Sequence, residues 1–296
     1  MYIINFIRGF CMALADSVPG VSGGTIAFVL GFYDKFINSL NDIACKDKEK
    51  RKEAAFFLMK IGIGWVIGLV LSVLLLASIF DEHIYSISSL FIGFIIMAIP
   101  IIIKEEKENF LGKYKNVIYA ILGAILVWAI TYFNPMNGAG SIDISINSLS
   151  LSLGLYVFFA GMIAISAMVL PGISGSTLLL IFGLYIPIIS AIKEVLTFNF
   201  TYLPILIIFG FGVLLGIAVT IKGVKFLLEN YRSQTMYFIL GLMIGSIYAV
   251  IMGPQSLEVP KLPMNFKTFN IIFFILGGAL ILGLEKLKTY FENKSK

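Results

Sequence analysis

Residues 61–80, 84–103, 116–142, 203–221, 236–257 and 268–284 contain no Asp, Glu, Lys or Arg. Each run approaches or exceeds the ~20 residues of helix that cross a bilayer core. Hydrophobic residues fill 59% of the 296 positions and charged residues only 13%, with a mean hydropathy of +0.97. A soluble domain of this length cannot hide so much apolar surface. The runs are continuously apolar, whereas membrane-barrel strands alternate. An all-α, polytopic integral membrane protein with about six spanning helices is expected.

The rare residue types exclude most chemistry. Cys11 and Cys45 are too few and too oddly placed for a disulfide framework. His83 is the single histidine, so no multi-histidine metal or catalytic site forms. No polar stretch exceeds a loop's length, which leaves no room for a soluble enzyme domain or a nucleic-acid module. No catalytic residue, metal or cofactor is expected. Ala13-Leu14-Ala15 imitates a leader-peptidase site, but Arg8 interrupts the apolar region instead of preceding it. The segment is expected to be retained.

The chain repeats itself. Residues 18–33 and 170–185 share seven of sixteen positions: Pro19/Pro171, Gly20/Gly172, Ser22/Ser174, Gly23/Gly175, Thr25/Thr177, Gly31/Gly183 and Tyr33/Tyr185. The offset is 152 residues. Gly62, Gly64 and Gly68 then match Gly210, Gly212 and Gly216 at 148, Gly93 matches Gly241 at 148, and Gly123 matches Gly277 at 154. An ordered series of this kind marks a tandem duplication. Residues 1–140 form a first membrane repeat and 141–296 a second.

Lys and Arg near helix ends mark the cytoplasmic side. Lys46, Lys48, Lys50, Arg51 and Lys52 place the 46–53 loop inside, as do Lys104, Lys107, Lys113 and Lys115 for the next basic loop. Lys222, Lys225 and Arg232 lie inside, as do the C-terminal Lys286, Lys288, Lys294 and Lys296. The loops at Asp81-Glu82-His83, 134–148 and 254–268 fall outside. Segment 149–192 then leaves and returns on the outer face, a hairpin broken at Pro171-Gly172. Residues 1–40 form the equivalent hairpin from the cytoplasm. Each half is one Pro-Gly-broken, re-entrant hairpin plus three crossings, and the odd count inverts the second copy, with both termini cytoplasmic. Arms 149–168 and 173–192 are long enough to cross fully, so six to ten spans remain open. Inverted-topology repeats of this kind recur in secondary transporters.

Within hydrocarbon, broken backbone is tolerated only when buried in protein or lining a cavity. Pro19-Gly20 and Pro171-Gly172 should end the first arm of each hairpin. Ser22, Thr25, Ser174 and Thr177 sit where an N-cap belongs, and Gly23, Gly24 and Gly175 permit close backbone approach. Two such elements meeting near the midplane suit an anion, a phosphate in particular. Capping and tight helix packing alone also fit these residue types. Arg8 either neutralises the anion or snorkels to the interface. Asp16 relays a proton, coordinates a cation or caps a helix end. The matched positions in the second half are Ala160 and Met168, so the halves are not equivalent. Trp65 and Trp128 read as packing or belt residues, and Gly62, Gly64, Gly68, Gly210, Gly212 and Gly216 as helix contacts.

The stretch from Ala15 through Ala27, followed by Gly31-Phe32-Tyr33, resembles the signature of the polyprenyl-phosphate transporter (PopT) family of bacterial and archaeal membrane proteins, formerly a domain of unknown function. Leu170 to Thr177 fits the same family, and the resemblance covers essentially the whole chain. It implies return of undecaprenyl phosphate, the lipid carrier of cell-envelope synthesis, to the cytoplasmic leaflet of the cell membrane. Head-group contacts are then expected from Arg8, Ser22, Gly23, Gly24, Thr25, Ser174, Gly175, Ser176 and Thr177. Coupling or gating falls to Asp16, Pro19, Gly20, Pro171 and Gly172, with a proton or sodium ion as candidate coupling ion. The partners expected are the polyprenyl phosphate and membrane lipids. Ser176 stands where the first copy has Gly24, so the two cradles differ. An ion-coupled carrier of a small soluble anion is the alternative. A lipid-phosphate processing enzyme ranks below it, because no Arg, His and Asp set clusters to form and break a phosphoenzyme.

Overall fold

The computed structural model describes residues 2–16, 22–71, 77–132, 144, 150–196, 198–256 and 261–294. They fold as helices: α1 (Tyr2–Asp16), α2 (Gly23–Val29), α3 (Tyr33–Asp42), α4 (Lys48–Leu71), α5 (Ala77–Glu105), α6 (Lys107–Phe110), α7 (Val117–Tyr132), α8 (Leu151–Val169), α9 (Gly175–Ile181), α10 (Tyr185–Leu196), α11 (Leu203–Asn230), α12 (Arg232–Met252) and α13 (Ile271–Lys294). Among the described residues six helices are long and apolar enough to cross a membrane: 48–71, 83–105, 114–132, 151–169, 200–230 and 232–255. The protein is a multi-pass helical membrane protein.

The apolar run at 268–284 lies in α13, and α8, which precedes the second motif, is one of the six long helices. One detail differs from expectation. Asp81-Glu82-His83 is no loop, because helix runs through it with a kink at His83 (φ −113°, ψ 24°).

The segment that follows each motif is itself broken. α2 and α9 span seven residues each, and both end on a glycine in the left-handed region, Gly31 (φ 65°) and Gly183 (φ 64°). Phe32 N–H returns to Ala27 O at 3.0 Å, and Leu184 N–H to Leu179 O at 2.9 Å. These are Schellman closures, which satisfy the last carbonyls of a helix and favour glycine at the turn. The paired identities Gly31/Gly183 thus encode a second break that the residue pattern alone did not announce. With seven residues in α2 and α9 and ten and twelve in α3 and α10, none of these helices approaches the length of a bilayer crossing.

The long helices pack in pairs. α1 lies on α4 and α8 on α11, whereas α5 pairs with α13 and α7 with α12, so helices of residues 1–140 and 141–296 interleave. Gly64 lets α4 approach the Phe6 carbonyl, and Gly212 lets α11 approach that of Phe158. Gly93 meets the Phe274 carbonyl as Gly241 meets that of Ala120. Gly123 and Gly277 likewise exchange partners across the halves, against the Phe238 and Leu90 carbonyls. A Cβ at any of these positions would enter a neighbouring backbone. Gly62 and Gly210 were expected to do the same, but nothing lies within 4 Å of a Cβ at either. They point away from the contact face.

α12 is the central helix: 61% of its apolar stretch is buried inside the protein against 11% for α7. Polar contacts gather at the two ends of the part of α5 that follows the His83 kink. At its start Tyr85 donates to Leu262 O (2.9 Å), and Asn270 donates from its side chain to Ser86 (3.2 Å) and from its backbone to Ser89 (2.9 Å). Past its far end Glu106 takes a forked pair of bonds from Arg232, which also reaches Asp34 at 2.8 Å. Lys225 lies 3.8 Å from Asp42 at that same end. Tyr85 and Glu106 are 21 residues apart, roughly 30 Å of helix and about one hydrocarbon thickness.

Candidate functional site

Leu170 and Gly172 carry the first non-helical turn of the second motif. α8 stops at Val169, two residues before Pro171, because proline lacks an N–H and constrains the residue before it. Leu170 is extended (ψ 134°), and Gly172 holds φ 90°, a backbone that side-chain-bearing residues avoid. α1 ends at Asp16, three residues before Pro19. Pro19 and Gly20 lie outside the described residues.

Ser22 is the N-cap of α2, with its Oγ accepting Thr25 N–H at 3.3 Å. Thr25, expected at a cap, lies in the first turn of α2 and does something else. Its Oγ1 accepts the Gly172 N–H at 2.8 Å. Ser22 and Thr25 hydroxyls lie 3.1 Å apart, and Ser22 Oγ donates to Leu170 O at 3.4 Å. Tyr33 Oη donates to Val169 O at 3.1 Å. Three side chains of the first motif therefore grip the broken backbone 169–172 of the second. Ser22, Thr25 and Tyr33 are each at most 2% exposed.

Glycines allow this approach. A Cβ on Gly24 would lie 2.9 Å from Val169 O and 3.0 Å from Met168 O. One on Gly172 would lie 2.5 Å from the carbonyl oxygen of Leu242. Leu242 is the midpoint of α12 (Arg232–Met252), ~15 Å from either end. The crossing of the two motifs thus sits half-way along the central helix.

Asp16 closes α1 against this crossing. Its Oδ1 accepts Gly23 N–H at 2.7 Å, and its Oδ2 accepts the Trp65 indole N–H at 3.0 Å. Of the three roles open to Asp16, the structure displays helix capping.

Other expected residues stand apart. Arg8 lies two turns before Asp16 on α1, its guanidinium 4.7 Å above the Phe32 ring and its Nη1 donating to Asn5 at 3.0 Å. Phe32 follows the far end of α2, so Arg8 is not beside Ser22. Ser174 is buried and precedes α9 as Ser22 precedes α2. Gly175 packs on Met168 and the Ala164 carbonyl, and Thr177 is half-buried. The Ser176 side chain lies outside the described residues. No group of three or more His, Cys, Asp or Glu that could hold a metal ion comes together among the described residues.

Tyr33 and Trp65 went unrecognised as site residues. Tyr33 was visible as an identity of the repeat with Tyr185. Trp65 read as a belt residue, yet an indole N–H inside an apolar helix needs an acceptor, and Asp16 needs donors. That complementarity was a usable signal.

Two motifs that meet half-way along the central helix of a multi-pass helical bundle define a membrane protein whose middle is built from both motifs. A family profile described as VCA0040-like, undecaprenyl phosphate translocase-like, matches residues 12–267. The chain belongs to this undecaprenyl phosphate translocase-like family. It is 36% identical to a polyprenyl-phosphate transporter of Staphylococcus aureus, over 98% of each chain, and 30% identical to one of Vibrio cholerae, over 96% of each. These relatives are named as transporters, not enzymes. No solved structure matches significantly.

Proposed function

We propose that this protein is a flippase that returns undecaprenyl phosphate, or a similar polyprenyl phosphate, across the prokaryotic cell membrane. The observation that carries the reading is the Ser22–Thr25–Tyr33 grip on backbone 169–172, half-way along α12. It supports a site at the bilayer midplane built from both repeats. Family membership supplies the lipid, because the relatives carry that substrate in their names.

In the proposed cycle each half is a re-entrant hairpin plus three crossings, and the second half is inverted relative to the first. The basic end of the bundle, with Arg232 and Lys225, faces the cytoplasm together with both termini. Ser22 and Thr25 hydroxyls now bond to the opposite motif, so this conformation is closed. A phosphate reaches them when the two motifs part, exchanging the Gly172 and Leu170 bonds for its own oxygens. Gly23, Gly24, Ser174, Gly175, Ser176 and Thr177 complete the contact set. Pro19, Gly20, Pro171 and Gly172 supply the breaks about which the motifs move, and Arg8 adds positive charge along the path. The polyprenyl tail stays in lipid throughout.

Vesicles containing the purified protein, loaded with polyprenyl phosphate in one leaflet, test the reading. Wild-type protein should equilibrate the lipid between leaflets, and Thr25→Val with Thr177→Val should abolish this while leaving the protein folded. Uptake of a small soluble anion that undecaprenyl phosphate does not compete with would replace this reading by the soluble-anion one.

A further inference from the structure

Asp16 and Trp65 join three elements at one carboxylate. The Oδ1 atom takes the first amide of α2 from Gly23 at 2.7 Å, and the Oδ2 atom takes the indole of Trp65 from α4 at 3.0 Å. Both donors are neutral N–H groups and each has its own oxygen. A Cβ at position 23 would stand 2.8 Å from Oδ2 and 3.1 Å from Oδ1, so Gly23 is what lets the carboxylate seat.

The second repeat cannot build this junction. By the offsets of 152 and 148, Met168 stands for Asp16 and Val213 for Trp65. Met168 still packs on Gly175 as Asp16 packs on Gly23, so the position keeps its place in the fold and loses its hydrogen bonds. Packing is thus common to both halves, and the polar pin belongs to the first alone. It lies one residue from Ser22 and two from Thr25, the side chains that grip the second motif.

We propose that Asp16 and Trp65 are positioning residues for transport. The carboxylate, stretched between the Gly23 amide and the Trp65 indole, sets the height and rotation of α2. Ser22 and Thr25 thereby face the 169–172 backbone, or the head group that exchanges with it. This rests on the transport reading above, and it assigns Asp16 a role through hydrogen-bond geometry that requires no proton or cation to pass through it.

The test is a rescue. In Asp16→Asn one oxygen still accepts from Gly23, but the new amide meets the Trp65 N–H donor to donor. Leaving buried donors opposed should cut lipid exchange by about tenfold or more. Trp65→Phe removes one donor and should cost only a few-fold. The double variant Asp16→Asn with Trp65→Phe removes the conflict and should recover to the Trp65→Phe level, at matched amounts of folded protein. A double variant as inactive as Asp16→Asn would overturn the proposal, because the negative charge itself would then be required. A second readout is independent of transport. The chain has two tryptophans, so Trp128→Phe leaves Trp65 as the sole indole. Its emission should shift on Asp16→Asn and stay unchanged on Met168→Leu. An unshifted emission would remove the pair itself. If wild-type protein moves no polyprenyl phosphate the transport reading fails, and the emission result still decides whether the pair holds.

Discussion

Thr25 Oγ1 accepts the amide hydrogen of Gly172 at 2.8 Å, across 147 residues of sequence. The acceptor comes from one Pro-Gly-x-Ser-Gly-x-Thr motif and the donor from the other. Glycine at 172 is required twice over, by φ 90° and by the Leu242 carbonyl pressed against it. This bond is buried, so neither group can turn to water if its partner is removed.

Thr25→Val keeps the volume and loses the acceptor. The stranded Gly172 N–H should destabilise the closed conformation by about 1–3 kcal/mol. Thr25→Ser should retain the bond. Thermal unfolding in detergent is the measurement, and equal melting of the Val and Ser variants would contradict the role given to this hydroxyl.

The glycines of α4 separate into two kinds. Gly64→Ala puts a methyl into the Phe6 carbonyl and should cost about 1–3 kcal/mol or more. Gly62→Ala meets nothing within 4 Å and should be neutral or stabilise by up to ~1 kcal/mol. The same contrast is expected between Gly212 and Gly210. Melting temperatures of the four variants check it.

Gly31 and Gly183 end α2 and α9 in left-handed turns. Alanine at either should cost about 1–2 kcal/mol, because its Cβ crowds the following carbonyl. Asparagine should cost less than alanine, since its side chain can bond locally in that region. Unfolding midpoints of Gly31→Ala and Gly31→Asn decide it.

Arg232 ties α12 to Asp34 of α3 and to Glu106 at the end of α5. Burial alone would raise the Glu106 carboxyl, but the Arg232 hydrogen bonds and charge, with the Asn109 amide, hold it below the ordinary 4.5. A depressed carboxyl stabilises the fold above its ordinary range and loses that contribution as pH falls through the folded value. The Glu106 contribution should therefore persist at pH 5 and fade only below 4.5. Arg232→Gln should abolish this acid dependence, which melting curves of wild type and variant between pH 6 and 3.5, on the order of one Glu titration range, would reveal.

The apolar runs and the doubled motif determined much of this protein without coordinates. Charge-free stretches of about twenty residues have few fates besides membrane helices, and seven identities at one offset make the doubled motif legible by inspection. The pairing of Gly64 with Gly212 marked helix contacts, because small residues let backbones approach. Sequence could not show that Gly93 and Gly241 also make such contacts, exchanged between residues 1–140 and 141–296, with Gly93 on Phe274 and Gly241 on Ala120. Which helix faces which is a property of packing summed over the whole bundle. Nor could it separate Gly62 from Gly64, since two residues along a helix point to different sides only once a neighbour exists. For the same reason Trp65 read as a packing or belt residue and Tyr33 only as an identity of the repeat. Each acquires its role from an oxygen far away in sequence, Asp16 for one and Val169 for the other. Composition and repetition depend on residue identities, and they determined the class and the two motifs. The grip of one motif on the other depends on donors and acceptors meeting in space, and only the tertiary structure decided that.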